Sequence, residues 1–129
     1  VRLSGRRWNE EKVMGLQEER LERGVAYKLE GRYDEAMAEF SHLLVENADH
    51  AEAHHQLGLV LGFIGDFEKS LAELEQATSL DPANTLSRND LALTYTMLGM
   101  YDEAKAEFAR VLAQDQGNDV ARRNLTYLQ

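Results

Sequence analysis

Three ten-residue words recur along this chain at a fixed interval. "GRYDEAMAEF" begins at residue 31, "GDFEKSLAEL" at 65 and "GMYDEAKAEF" at 99, a period of 34. A fixed period of this size marks a stacked array of small units, none of which can bury its apolar face alone. Extending the period divides the chain into a leading segment at 1–16, units at 17–50, 51–84 and 85–118, and a trailing half-unit at 119–129. These pieces account for all 129 residues.

Each unit reads as two helices. In the second half of unit one the apolar or small positions are Tyr33, Ala36, Met37, Phe40, Leu43 and Leu44; unit three repeats them as Tyr101, Ala104, Phe108, Val111 and Leu112. Steps of three, four and one trace one face of an α-helix. The first halves behave likewise, with Leu57, Gly58, Leu61 and Ile64 in unit two and Leu91, Ala92, Tyr95 and Leu98 in unit three.

Punctuation separates the halves. Gly31, Gly65 and Gly99 each follow an apolar-ended helix, where a left-handed residue closes the C-terminus. Asp34, Asp66 and Asp102 lie near the start of the second helix, where a carboxylate meets free N–H groups. Asn84 and Asn118 suit N-caps of the next first helix, and Asp81-Pro82 ends the second helix of unit two. Small residues recur at the eighth position (Gly24, Gly58, Ala92) and the twentieth (Ala36, Ser70, Ala104), letting helices approach closely. Phe40, Leu74 and Phe108 are then expected to fill the space between units.

This pattern resembles the tetratricopeptide repeat (TPR) family. The family signature has a large residue at position 4, Leu at 7, Gly or Ala at 8, Tyr at 11, an aromatic at 17, Ala at 20, Phe at 24, Ala at 27 and Pro at 32. Unit two carries it in Leu57, Gly58, Phe67, Ala77 and Pro82; unit three in Leu91, Ala92, Tyr95, Tyr101, Ala104 and Phe108. Unit one carries Gly24, Tyr27, Tyr33, Ala36 and Phe40, but Arg20 and Arg23 stand at positions 4 and 7, which makes its first helix the least family-like element. The resemblance spans residues 17–129. It implies an all-α fold, a right-handed superhelical solenoid of antiparallel helix pairs. Residues 119–129 resemble a lone first helix that covers the last unit as a cap. At the other end Asn9 is expected to cap a helix running into unit one, with Trp8 and Val13 as a hydrophobic staple; unfolded residues 1–8 are the alternative.

Charge narrows the partners. The net charge is −9. Residues 1–16 hold Arg2, Arg6, Arg7 and Lys12 against Glu10 and Glu11, a charge of +2, which leaves −11 on the rest. An acidic body repels phosphate, so neither nucleic acid nor an anionic membrane surface is an expected partner. No apolar run approaches the length of a membrane span, and the start has no signal-type apolar stretch, so a cytoplasmic location is expected. The absence of cysteine excludes disulfides, thiolate metal sites and thiol catalysis. The chain begins with Val, which leaves a larger parent protein as a reading.

Enzyme chemistry finds little support: there is no G-x-S-x-G, P-loop or G-x-G-x-x-G. The glycine-rich "GLVLGFIG" at 58–65 lacks phosphate-cradle spacing, and Gly62 stands outside the repeat pattern. His50 and His54 would share a face if residue 50 were helical, but two imidazoles fall short of a closed metal site, so no metal and no cofactor is expected. The family resemblance implies that first-helix positions 2, 5, 6, 9, 12 and 13 line a concave groove. The expected partner-binding residues are Leu21, Val25, His55, Gln56, Leu59, Phe63, Asn89, Asp90, Leu93, Met97, Arg123, Asn124 and Tyr127, with Leu59, Phe63, Leu93 and Met97 central. An apolar groove suits an amphipathic helix or extended peptide of another protein. A self-assembling scaffold, a homo-oligomer, is the alternative. The resemblance also implies a test: TPR domains that clamp acidic C-terminal tails need Lys, Asn, Asn, Lys and Arg where this chain has Leu21, Val25, Gln56, Leu86 and Asp90, so no such tail is expected to bind.

Overall fold

A computed structural model of the chain describes residues 5–129. Seven helices follow one another: α1 (Gly5–Leu29), α2 (Tyr33–Glu46), α3 (Ala51–Phe63), α4 (Phe67–Leu80), α5 (Thr85–Met97), α6 (Tyr101–Gln114) and α7 (Asp119–Leu128). Among the described residues there is no strand. Each helix packs on the next, and α3 also touches both α1 and α5. The odd-numbered helices therefore form one layer and the even-numbered helices the other. No helix of the described residues is long and apolar enough to cross a membrane.

The turns within pairs are built alike. Gly31, Gly65 and Gly99 have φ of 76°, 85° and 75°, a region that side-chain-bearing residues avoid. After each, a backbone N–H reaches back to the preceding helix: Arg32 to Tyr27 O, Asp66 to Leu61 O and Met100 to Tyr95 O, at 2.8, 2.9 and 2.8 Å. These bonds satisfy carbonyls that the helix end would leave open.

The caps follow the sequence in part. Asn84 Oδ1 accepts from the N–H groups of Leu86 and Ser87, and Asn118 Oδ1 from that of Ala121. His50 takes the same place before α3, its Nδ1 accepting from Ala53 N–H at 3.1 Å. His50 is thus a cap outside the helix, and it does not share a helical face with His54. Of the three aspartates, only Asp66 caps, accepting from Lys69 N–H. Asp34 and Asp102 lie inside the first turns of α2 and α6, whose N-caps are Arg32 and Met100. Their contribution is favourable charge at the positive end of the helix.

The N-terminal expectation needs correction. Asn9 is not a cap, because α1 already runs from Gly5. Trp8 is 55% exposed and makes no staple; Lys12 Nζ lies 5.2 Å from its ring centroid instead. The proposal of an unfolded start holds for none of residues 5–8, while residues 1–4 lie outside the described residues. At about 1.5 Å per residue, the 25-residue α1 is close to twice as long as its 14-residue partner α2. Its N-terminal half therefore projects beyond the α2–α3 turn.

The core is a series of tight contacts between helices of a pair. A β-carbon added at Gly24 would lie 2.5 Å from Phe40 Cε1, and one at Gly58 would lie 2.8 Å from Leu74 Cγ. Phe40 also joins Leu57, Val60 and Leu61 of the following unit, and Phe108 joins Ala121 of α7. Phe40 and Phe108 are 0% exposed, so both bridge neighbouring units as their spacing predicts.

A second periodic contact sets a nitrogen-bearing side chain against a glutamate. Arg20 pairs with Glu39 at 3.2 Å, His54 with Glu73 at 2.6 Å, and Arg88 with Glu107 at 2.7 Å. Each pair spans 19 residues and ties a first helix to its second. Arg20 is thus no exception to the repeat: position 4 carries a basic residue in every unit. Arg23 also reaches Glu39, at 3.1 Å. In α7, Ala121 is buried and Leu125 and Leu128 pack toward α6, while Arg122 and Thr126 face solvent. The last helix therefore closes the apolar layer with a polar outer side.

Candidate functional site

The inner layer of odd-numbered helices is where the expected site residues lie. Leu59 and Phe63 from α3 and Asp90, Leu93 and Met97 from α5 line one cavity of about 160 Å³. Its floor is Gly58, Gly62, Ser70 and Leu74, and Phe67 and Thr94 complete it. The helical steps of four within each pair, 59 to 63 and 93 to 97, set these side chains one above the other. Phe63 and Met97 are 58% and 64% exposed, large apolar groups open to solvent. The Phe63 ring also meets Tyr33 at 5.7 Å between centroids. Gly62 has a role here: a side chain at that point would fill part of the cavity floor.

The other expected residues are distributed differently. Leu21 and Val25 pack partly into the core beside Phe40 and Leu57, leaving only their edges toward the groove. His55 and Asn89 are 5% exposed and committed to internal bonds, so neither presents itself to a partner. Asn89 Nδ2 donates to Asn118 Oδ1, tying α5 to the cap of α7. Arg123 lines a shallow hollow on α7 with Asp119, Arg122 and Thr126. Asn124 Nδ2 donates to its own helix at Val120 O. Tyr127, 85% exposed, sits beside Tyr101, Asp102, Lys105 and Leu128, apart from the central cavity.

Sequence reading alone missed a polar chain along the groove wall. Lys28 Nζ of α1 donates to Gln56 Oε1 at 2.6 Å, and Gln56 Nε2 donates to Glu52 Oε1 at 2.8 Å. Glu52 lies 3.6 Å from His55 Nδ1, and His55 Nε2 reaches Asp90 Oδ2 at 2.7 Å. Burial alone would push the His55 ring down; the hydrogen bond that the ring donates to Asp90, then the nearby Glu52 carboxylate and both negative charges, outweigh it and hold the ring at about 9. His55 in return holds the Glu52 carboxyl below its ordinary value, with Gln56 helping and burial opposing. Burial lowers Lys28, with Glu52 and Asp90 acting against it. Two cations and two carboxylates cancel, so this chain fixes α1, α3 and α5 to one another and leaves the groove centre without net charge.

A broader hollow of about 790 Å³ lies beside the projecting half of α1, lined by Arg6, Asn9, Glu10, Val13, Met14, Gln17 and Asn47. Six of these residues belong to one helix and the seventh to a turn, which makes the hollow a ledge. The cavity at Leu59 and Leu93 is lined by three helices and is the better candidate. Among the described residues no group of three or more His, Cys, Asp or Glu is arranged to hold a metal ion.

Comparison with known proteins places the architecture. A family model described as tetratricopeptide repeat matches residues 65–125. No curated protein matches the chain in sequence. The first TPR of Spaghetti (RPAP3), solved bound to the HSP90 peptide SRMEEVD, superposes with a TM-score of 0.83 at 20% identity, over 87% of this chain and 89% of that one. The Arabidopsis OM64 TPR domain gives 0.84 at 19% identity, over 90% and 96%. YrrB, described as a TPR protein with an unusual peptide-binding site, gives 0.75 at 28% identity over 81% of this chain and 54% of its own. These structures share the right-handed solenoid of antiparallel helix pairs. The family model over residues 65–125 and the stacked helix pairs of the structure agree: the chain has the fold of the tetratricopeptide-repeat proteins.

Proposed function

We propose that this chain is a non-enzymatic protein-binding domain that takes an apolar segment of another protein, a helix or extended peptide, into the groove at Leu59, Phe63, Leu93 and Met97. The observation that carries the reading is the gathering of these four residues in one open hollow lined by α3, α4 and α5, with two of them more than half exposed. Large apolar groups gathered at one concave place are what partner segments bury. Peptide complexes among the structural relatives support the same use of the fold. The titratable groups beside the groove support a non-catalytic role, because each is spent on a neighbour: Lys28 on Gln56, His55 on Glu52 and Asp90.

The charge layout narrows the partner. The centre is neutral, while Glu18 and Glu22 on α1 are exposed and form no ion pair among the described residues. A segment with a Lys or Arg beside its apolar face fits this wall. An acidic terminal tail does not: the places where a carboxylate clamp needs cations hold Leu21, Leu86 and Asp90, and those where it needs Asn hold Val25 and Gln56.

The test is a Leu59→Glu, Leu93→Glu double variant with retained helical signal, compared with the parent in affinity capture. Partners lost from the variant support the groove; an unchanged set of partners refutes it. Titration with the peptide SRMEEVD is expected to show no micromolar binding. Self-assembly is the second reading, favoured by Trp8, Val13, Met14 and Leu16 on the projecting half of α1, each about half exposed or more. Light scattering across concentration decides it, since a strict monomer removes this reading.

A further inference from the structure

The projecting half of α1 carries an apolar face that its own chain leaves uncovered. Trp8, Lys12 and Leu16 follow at steps of four and so share one side of the helix. Trp8 and Leu16 are 55% and 53% exposed. Lys12 Nζ lies over the Trp8 ring and forms no ion pair among the described residues. An apolar face with a cation beside it is the kind of segment that the groove at Leu59, Phe63, Leu93 and Met97 suits, because Glu18 and Glu22 stand exposed on its α1 wall. The charge of the chain divides in the same sense: its first sixteen residues are net positive and the remainder is net negative.

The cavity matches one large side chain. Its volume of about 160 Å³ is below that of small-molecule pockets. An indole that fills it brings an N–H that needs an acceptor once out of water. Asp90 lines the cavity, and His55 occupies only its Oδ2. Asp90 Oδ1 accepts no hydrogen bond among the described residues, and the side chain is 30% exposed. Trp8 does not reach the cavity of its own chain. Phe63 and Met97 end α3 and α5, on the side where Lys28 of α1 meets Gln56. Trp8 lies at the far end of the same unbroken helix, about 30 Å before Lys28.

Taking the groove as the binding site, we propose that it receives the projecting half of α1 from a second copy of this chain. Trp8 fills the cavity, its indole N–H donates to Asp90 Oδ1, and Lys12 turns toward Glu18 and Glu22 of the receiving copy. Donor helix and groove are different surfaces, so the contact is heterologous and extends into a chain or closes as a ring. A segment of another protein and a second copy then compete for one site.

Two variants of the intact chain test this by light scattering, each with its helical signal checked. Trp8→Ala with Leu16→Glu removes the donor face; Leu59→Glu with Leu93→Glu removes the groove. The mass of the parent is expected to rise with concentration, and each variant alone is expected to stay a monomer. An equimolar mixture, holding one sound donor and one sound groove, is expected to give a mixed dimer and nothing larger. A parent that stays monomeric overturns the proposal, as does a groove variant that still associates or a mixture that does not. A monomeric parent whose groove variant loses its captured partners keeps the groove and removes only the second copy as its occupant. A groove variant unchanged in both partners and assembly removes both. Should the glutamates at 59 and 93 prevent folding, emission decides, since Trp8 is the only tryptophan of the chain. The donor variant has no tryptophan and an intact groove. Its titration into dilute parent is expected to shift Trp8 emission to the blue, and unchanged emission would overturn the proposal.

Discussion

At Gly58 a β-carbon would stand 2.8 Å from Leu74 Cγ, with Leu74 itself 1% exposed. Gly58→Ala is therefore expected to destabilise the fold by about 1–3 kcal/mol, the range for overpacking a filled core, read by chemical unfolding. Gly62, four residues on, is the opposite case. Its β-carbon would meet only Ser70 Oγ at 3.5 Å, an ordinary contact. Gly62→Ala is expected to raise stability by up to about 1 kcal/mol through helix propensity, seen as a higher melting temperature, while narrowing the cavity. The residues most legible in the sequence were those with a repeated steric task. Gly31, Gly65 and Gly99 sit at positive φ, and Phe40 and Phe108 are fully buried, as their spacing implies. His55 and Asn89 were legible as positions and not as environments. Nothing in a helical period tells that a polar side chain will be consumed by a residue 35 or 29 positions away.

Between elements, the pair Arg88–Glu107 is the costliest link to break. Both side chains are about a tenth exposed, and Glu107 also holds Arg110. Glu107→Ala would leave the Arg88 charge buried and is expected to cost about 3–5 kcal/mol. In the first repeat the same link is wetter, with Arg20 and Arg23 side chains 25% and 47% exposed. Glu39→Ala is expected to cost about 1 kcal/mol or less, as for exposed pairs. Urea unfolding of the two variants tests the ordering, and equal losses would refute it. This contact was written in the sequence, since Glu39, Glu73 and Glu107 recur with the period. An apolar template hides it, because position 4 then registers as a defect in unit one. The length of α1 was hidden for a related reason. Trp8, Asn9 and Val13 fit a cap and staple in spacing, yet the residues before them are equally compatible with helix, and local pattern does not decide between the two.

For the molecule as a whole, the polar chain from Lys28 to Asp90 gives the stack a pH limit on the alkaline side. The His55 value stands above its ordinary 6.5, at about 9. Its contribution is therefore complete below the ordinary value and is lost as pH rises through the raised one. Stability is expected to fall between about pH 7 and about pH 9.5, and a His55→Gln variant, already lacking the contribution, is expected to show a flatter profile. Thermal unfolding across that range checks it; identical slopes would refute the assignment.

The glycine turns, caps and glutamate links recur at the same register in successive units, and this has a genetic meaning. Removing residues 65–98 joins Ile64 to Gly99, so that one turn glycine replaces another. His54 then stands opposite Glu107 and Gly58 opposite Phe108, partners of the kind each already has. Whole repeats are in this sense interchangeable parts, and recombination between them lengthens or shortens the groove while leaving every junction chemically familiar.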